Sequence, residues 1–246
     1  MKIKLKPQEY YYLYSALRSE SLEMIIYTLK SLCVNGDLDI FSRYILINKS
    51  DTKKRSRTFI KLNQIFLSPE KSSAELLLLS LFNKDEELRM YELKLRIEEK
   101  LNRDFKIFKD VYVYQDVKGK GFCTWKYFIT SKGRVERKNC ADLIDNAEKE
   151  AKLKTQDKDK LKQMLFELGS NVIFLDDEAQ KKAAIYKSEF NDLELLFGVG
   201  QDNLPPTESE YIGGLYAGGG FSSGSGGGFS GFGGGDFGGG GAGGSW

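Results

Sequence analysis

The chain has 246 residues, of which 41% are apolar and 29% are charged, and its formal net charge is +2. This composition is typical of one or two domains with apolar cores. Histidine is absent, which excludes Ser-His-Asp and Cys-His nucleophile systems, HExxH metal sites and proton relays through imidazole.

Residues 1–66 combine two predicted helices with a hairpin. The first helix, residues 8–18, follows Pro7, whose fixed φ suits the first turn of a helix. The second helix ends at Gly36, because glycine adopts the left-handed conformation at low cost. Its apolar positions repeat every 3.6 residues: Leu22, Ile25, Ile26, Leu29 and Leu32. Strands are predicted at residues 38–41, 44–47 and 58–62, with a polar loop at 48–56. Two helices and a hairpin predict a winged helix.

Residues 67–138 repeat this order of elements. Ser72 or Ser73 caps a helix, and a second stripe follows at Met90, Leu93, Ile97 and Leu101. A hairpin is predicted from a strand at 112–114, a turn at 118–121 and a strand at 122–130. The Gly119-Lys120-Gly121 segment lacks the GxxxxGK[ST] spacing of a phosphate-binding loop, which favours a hairpin turn.

Residues 139–197 are predicted to be helical. Helices are expected over 141–154, over 157–168 with Gly169 as the stop, and over 178–197. The apolar residues 172–175 form a short link, for which an irregular segment and a strand are both possible. Asp176, Asp177 and Glu178 place negative charge at a helix N-terminus, where it is favourable. An active site built on these carboxylates is the alternative.

The C-terminal residues have a different composition. Glycine and proline mark residues 198–212 as a linker, and 19 of the 34 residues from 213 to 246 are glycine. Such a segment has too few side chains to bury, so it is predicted to be disordered. The predicted fold is therefore α+β, with tandem winged-helix-like domains at 1–66 and 67–138, a helical part at 139–197, and a linker and glycine-rich tail at 198–246.

The three cysteines and the apolar runs indicate the compartment. Cys33, Cys123 and Cys140 are odd in number and widely spaced, which predicts free, buried thiols in a reducing cytoplasm. The N-terminal residues lack the apolar run of a secretory signal, and no run of about 18 apolar residues occurs. No motif predicts a cofactor or a metal ion.

Basic residues are concentrated in the first half of the chain. Residues 1–138 contain 28 Lys and Arg against 18 Asp and Glu, whereas residues 139–246 contain 9 against 17. The predicted wings supply the candidates for contact with an anionic partner: Lys49, Lys53, Lys54, Arg55, Arg57, Lys118 and Lys120. Solvated faces, an anionic membrane surface and DNA are the open alternatives. Specific DNA recognition is disfavoured, because the second predicted helix carries Lys30 as its only cation.

Isolated aromatic residues recur along the tail. A partner protein or other copies of the chain could recognise them, and an inert spacer is the alternative. The candidates for tail recognition are Phe221, Phe229, Phe232, Phe237 and Trp246.

Several segments resemble a large family of bacterial predicted membrane proteins known only as a domain of unknown function. The similar segments are residues 5–9, 29–40, 166–169 and 233–246, the last ending in Ser245-Trp246. The tail is also similar to those of TPM-domain proteins. The family has an extracytoplasmic part, membrane helices and a cytoplasmic winged-helix-like region. The resemblance implies that this chain is a stand-alone version of the cytoplasmic region, and it carries over no catalytic residues.

These observations predict a non-catalytic protein–protein interaction or scaffold module of a bacterial cytoplasm, with the inner face of the membrane as one location. The tail would be its recognition or self-association segment. A nucleic-acid-binding winged-helix regulator and a carboxylate-dependent enzyme are the two alternatives.

Overall fold

A computed structural model describes residues 3–14, 20–46, 54–63, 71–126, 128–153, 158–185 and 187–197. The fold is mixed α and β, with helices packed around small antiparallel sheets. The helices are α1 Pro7–Tyr14, α2 Ser21–Val34, α3 Ser73–Leu79, α4 Met90–Lys100, α5 Tyr114–Gly119, α6 Ser131–Lys152, α7 Lys158–Leu168, α8 Asp177–Lys182 and α9 Glu189–Phe197. The strands are β1 Leu38–Ile45, β2 Arg55–Leu62, β3 Glu87–Arg89, β4 Cys123–Trp125 and β5 Phe128–Ile129.

Helix α2 lies at the centre of the molecule. The predicted apolar stripe is present, but burial extends around the helix and includes every residue from Glu23 to Cys33. Helix α2 contacts α1, α3 and α9, which explains why even Lys30 is buried and paired with Glu194 of α9. The predicted stop is confirmed, since Gly36 follows the helix with a φ of +77°.

The larger sheet joins the first half of the chain to the second. Strands β1 and β2 form the predicted hairpin, with Ile40 opposite Ile60. Strand β1 is continuous through residues 42 and 43, where two separate strands were expected. Strand β3 follows α3 in the chain and pairs with β2, with Leu88 opposite Ile60. The sheet therefore has the order β1-β2-β3 and crosses the predicted boundary at residue 66.

The predicted strand at 112–114 is wrong, because this segment is helical. A π-helical stretch at Phe108–Val113 leads directly into α5. Phe108, Val113 and Val117 are fully buried, so packing against the core overrides the β propensity of Val113 and its tyrosine neighbours. The predicted hairpin turn at 118–121 is also wrong, because the turn at 120–121 joins a helix to β4 and does not join two strands. This segment ends α5, and Gly121 takes a φ of +73° just beyond the helix.

A much shorter hairpin follows that helix. Strands β4 and β5 pair through Cys123 with Ile129 and through Trp125 with Phe128. The hairpin leads into α6, whose Gly133 sits where a Cβ atom would lie 2.2 Å from the backbone oxygen of Phe122. Only glycine fits this close approach without a shift of the backbone.

The helical C-terminal part differs from the prediction in its details. Helix α6 begins at Ser131, ten residues before the predicted start. Residues 169–174 form a 3-10 helix rather than a strand, after Gly169 ends α7 as predicted. The expected helix over 178–197 is broken into α8 and α9 near Ala184, which has a φ of +55°.

The core is continuous across the described residues. Its buried apolar side chains form one cluster that extends from Ile3 to Phe197. Cys33, Cys123 and Cys140 are free and buried within it, as predicted. The domain boundaries drawn from the sequence stay a prediction.

Candidate functional site

A cleft of about 900 Å³ lies between the N-terminal segment, the start of α3, the end of α5 and the end of α7. Two of the carboxylates at this cleft, those of Glu9 and Glu75, are fully buried. Buried charge at a cleft is the usual mark of a candidate site. The charged residues that line it are Lys4, Lys6, Glu9, Lys71, Glu75, Asp116 and Lys120.

Glu9 stands in the first turn of α1. Its Oε2 atom accepts a hydrogen bond from the backbone nitrogen of Lys6, at 2.8 Å, and another from Nζ of Lys120, at 2.6 Å. A glutamate in this position commonly caps the first turn of a helix. Burial of the carboxyl group raises the pKa of Glu9, although the charge of Lys120 opposes the shift.

Glu75 has the matching position in α3. It forms a full capping box with Ser72, whose backbone nitrogen donates to Glu75 Oε2 at 2.8 Å. The same oxygen is paired with Nζ of Lys6. Asp116 of α5 supports this helix end from outside, because its two oxygens accept from the backbone nitrogens of Ser73, at 2.8 Å, and Ala74, at 3.2 Å.

Three acceptor atoms of this cluster have no hydrogen-bond donor in the part of the chain that the structure describes. They are Gln8 Oε1, Glu9 Oε1 and Glu75 Oε1. The raised pKa of Glu9 fits this environment, because burial disfavours the charged carboxylate and no donor stabilises it at Oε1.

The charged contacts in the cleft link three helices. Each carboxylate is engaged with a lysine or with the amides of a helix N-terminus, so the cluster fastens α1, α3 and α5 to one another. General acid–base chemistry needs a carboxyl group within reach of a substrate proton. The carboxyl groups at this cleft are those of Glu9, Glu75 and Asp116, and the Oε1 atoms of Glu9 and Glu75 are buried.

The acidic residues singled out in the sequence lie elsewhere. Asp176 caps α8 by accepting from the backbone nitrogen of Ala179 at 2.8 Å, and it pairs with Lys152 at 2.5 Å. Asp177 and Glu178 occupy the first turn. The expected helix-start cluster is therefore confirmed, and these contacts keep the pKa of Asp176 below its usual value.

The basic residues predicted for the first wing are only partly placed. Lys54, Arg55 and Arg57 are exposed at the loop end of the β1–β2 hairpin. Arg43 lies opposite Arg57 in this hairpin and forms an ion pair with Glu87 at 2.6 Å. Lys49 and Lys53 lie outside the described residues.

The two lysines predicted for the second wing have different environments. Lys118 is exposed at the end of α5, with Nζ 5.7 Å from the ring centre of Tyr114. Lys120 faces the cleft, where its Nζ contacts Glu9 and, at 3.0 Å, the backbone oxygen of Lys4. Lys120 is therefore a partner of the buried carboxylate, and no local sequence pattern indicates that long-range contact.

A second cleft, of about 470 Å³, lies between β2, α4 and α9. Tyr91 of α4 lines this cleft and is 62% exposed. Leu95, one turn later in the same helix, is 45% exposed. Helix α9 packs beside them, since Nζ of Lys94 donates to the backbone oxygen of Leu196 at 2.9 Å. Leu195 is 77% exposed, the largest value among the large apolar side chains described. We call Tyr91, Leu95 and Leu195 the α4–α9 face.

The β4–β5 hairpin carries a further set of exposed apolar groups that the sequence did not single out. Trp125 and Phe128 are directly opposite in the hairpin and are 71% and 66% exposed. Val135 of α6 is 59% exposed. The tail candidates Phe221, Phe229, Phe232, Phe237 and Trp246 lie outside the described residues.

The described residues contain no helix long and apolar enough to cross a bilayer. Within the same residues, no group of three or more Cys, Asp or Glu side chains is arranged to hold a metal ion. No protein-family model, no curated protein and no solved structure matches the chain. The resemblance to the bacterial membrane-protein family stays a prediction.

Proposed function

We propose that the chain is a non-catalytic protein–protein interaction or scaffold module of a bacterial cytoplasm, and that its tail is a self-association segment. The observation that carries this proposal is the α4–α9 face. Tyr91 is exposed at the cleft, and Leu95 and Leu195 are exposed on the two helices that border it. Exposed apolar groups on neighbouring elements are typical of interaction surfaces.

The position of the face favours the tail of a second copy as its ligand. The described residues end at Phe197, in the helix that supplies Leu195, and the tail follows this helix in the sequence. Tyrosine and leucine form a surface on which an isolated aromatic side chain buries a large area at low entropic cost. The tail offers five such residues.

The proposal includes two winged-helix-like units in tandem. The order α3, β3, α4, α5, β4, β5 is helix, strand, helix, helix, hairpin, which is typical of a winged helix. Strand β3 pairs with β2 of the first unit, so the two winged-helix-like units would share one sheet. A shared sheet suits a rigid scaffold.

A nucleic-acid-binding regulator is the second candidate, favoured by the exposure of Lys54, Arg55 and Arg57. A winged helix that reads DNA normally presents a recognition helix to the major groove. Helix α2 is buried from Glu23 to Cys33, which disfavours this role for the first unit. Binding to duplex DNA that falls steeply with salt would support the regulator instead.

Oligomeric state tests the self-association proposal. We expect the full chain to form concentration-dependent oligomers in size-exclusion chromatography with light scattering. Changing the five tail aromatics to serine should yield a monomer, and Tyr91→Ser with Leu95→Ser should do the same. The control Phe166→Ser removes an exposed aromatic of α7 and should leave the oligomer intact. A wild-type chain that is monomeric at all concentrations would show that the tail does not self-associate.

A further inference from the structure

The β4–β5 hairpin exposes an aromatic pair whose position is unusual for a solvated wing. Trp125 and Phe128 are paired residues of neighbouring strands, so their side chains leave the same face of the hairpin. Both are more than 60% exposed. Val135, on the first turns of the helix that follows, adds a third apolar group.

The segment that carries these apolar groups is rich in cations. Residues 118–138 contain seven Lys and Arg and a single carboxylate, that of Glu136. Glu136 is 7% exposed and accepts a hydrogen bond from the backbone nitrogen of Lys4 at 2.8 Å. The exposed part of this segment is therefore uniformly basic.

Not all of these cations are available to a partner. Lys120 is paired with Glu9, and Lys126 is paired with Asp110 at 3.0 Å. Three others, Lys118, Arg134 and Lys138, are exposed and form neither an ion pair nor a hydrogen bond to a backbone oxygen within the described part of the chain. Lys132 is also exposed, but it donates to the backbone oxygen of Lys120 at 2.7 Å. We call Trp125, Phe128 and Val135, together with these three cations, the hairpin–helix surface.

We propose that the hairpin–helix surface binds an anionic lipid surface. Trp and Phe side chains are stabilised at the boundary between headgroups and acyl chains, and basic residues beside them are attracted to anionic headgroups. A bilayer offers both an apolar layer and a negative charge. A nucleic acid would offer phosphates and stacking partners for Trp125 and Phe128, but it would leave Val135 exposed.

This inference goes beyond the proposed function, because the α4–α9 face can bind the tail of another copy whether or not the hairpin contacts lipid. The two surfaces use different residues on different elements. A failure of either proposal leaves the other standing.

Vesicle sedimentation with the full chain tests the proposal. We expect binding to vesicles that contain phosphatidylglycerol and little binding to vesicles of phosphatidylcholine alone. Trp125→Ser combined with Phe128→Ser should abolish the binding. Arg134→Gln and Lys138→Gln should each weaken it about fivefold at low salt.

Matched variants separate this surface from general charge and hydrophobicity. Lys158→Gln with Lys162→Gln removes two exposed cations of α7, and Phe166→Ser removes an exposed aromatic there. Both controls should bind like the wild type. Circular dichroism checks that each variant is folded, and the charge variants decide the question if the aromatic double variant is not.

Fluorescence gives an independent readout. The chain has two tryptophans, so Trp246→Phe leaves Trp125 as the sole tryptophan. Its emission should shift to shorter wavelength when phosphatidylglycerol vesicles are added. Absence of vesicle binding, binding that survives loss of Trp125 and Phe128, or binding to oligonucleotides without binding to vesicles would each overturn the proposal.

Discussion

The charged cleft and the hairpin–helix surface contain similar residues and differ in what those residues face. In the cleft, lysines meet buried carboxylates, as Lys120 meets Glu9 and Lys6 meets Glu75. On the surface, Arg134 and Lys138 have no ionic partner among the described residues. A count of cations therefore says little about binding until their ionic partners are known. We therefore expect the charged cleft to stabilise the fold and the hairpin–helix surface to bind a partner.

The largest expected effect on stability is that of removing Glu75 from the cleft. Glu75→Ala leaves Lys6 Nζ and the backbone nitrogen of Ser72 without their acceptor at a buried helix end. We expect a loss of about 3 kcal/mol in the free energy of unfolding, measured by urea denaturation. Glu99→Ala, at an exposed position of α4, should change it by less than about 0.5 kcal/mol. Equal effects would mean that the cleft does not stabilise the fold.

Gly133 tests how the surface is attached to the core. In Gly133→Ala, the new Cβ atom would lie 2.2 Å from the backbone oxygen of Phe122 and 2.9 Å from Cγ2 of Ile129. The hairpin and α6 must then separate, and we expect a loss of about 2 kcal/mol in a denaturation experiment.

The matched control for that change is Gly119→Ala. A Cβ atom at this position meets nothing within 4 Å, and Gly119 has no positive φ. The substitution should be neutral or stabilise the fold by up to about 1 kcal/mol, because alanine restricts the unfolded chain. A similar loss in both variants would contradict the close packing of α6 on the hairpin.

Much of this architecture could be predicted from local pattern. The stripe of α2, its stop at Gly36, the β1–β2 hairpin and the cap at Ser72 each depend on residues close in sequence. The cleft could not be predicted in the same way, because the Lys6–Glu75 and Glu9–Lys120 contacts join distant parts of the chain. One local signal was present, since Ser72 and Glu75 have the spacing of a capping box.

The second hairpin shows where propensity fails. Val113 with its tyrosine neighbours favours a strand, and glycines 119 and 121 favour a turn. In the structure, burial of Val113 and Val117 keeps this segment helical, and Gly121 becomes the residue beyond the helix end. The hairpin instead begins at Cys123, eleven residues after the predicted start at residue 112. That shift brings Trp125 and Phe128 opposite each other on the surface.

The pH dependence of stability sharpens the account of the cleft. Burial raises the pKa of Glu9, so the folded state holds its proton to higher pH than the unfolded state. Stability due to this group is therefore lost as the pH rises from about 4 towards neutrality. Glu9→Gln removes the titration and keeps an acceptor for Lys6 and Lys120.

Urea denaturation across this pH range should show the wild type losing stability relative to Glu9→Gln as the pH rises. Lys6, Lys120 and Asp116 face the same cleft and are present in both proteins, so they cancel in the difference. A wild type that gains stability relative to the variant with rising pH would mean that the charge of Lys120 outweighs the burial of Glu9.

The smallest effect concerns the thiols, which report on local opening of the β4–β5 hairpin and of helices α2 and α6. Cys123 lies in the three-residue strand β4, whereas Cys33 and Cys140 lie within the longer helices α2 and α6. Burial raises the pKa of all three, that of Cys33 to about 12, so each must be exposed before it reacts. A short hairpin opens more readily than a central helix. We expect a thiol reagent to modify Cys123 first in the native chain, as followed by mass spectrometry, and all three at similar rates in denaturant. If Cys33 or Cys140 reacted first, the β4–β5 hairpin would not be the part of the chain that opens most readily.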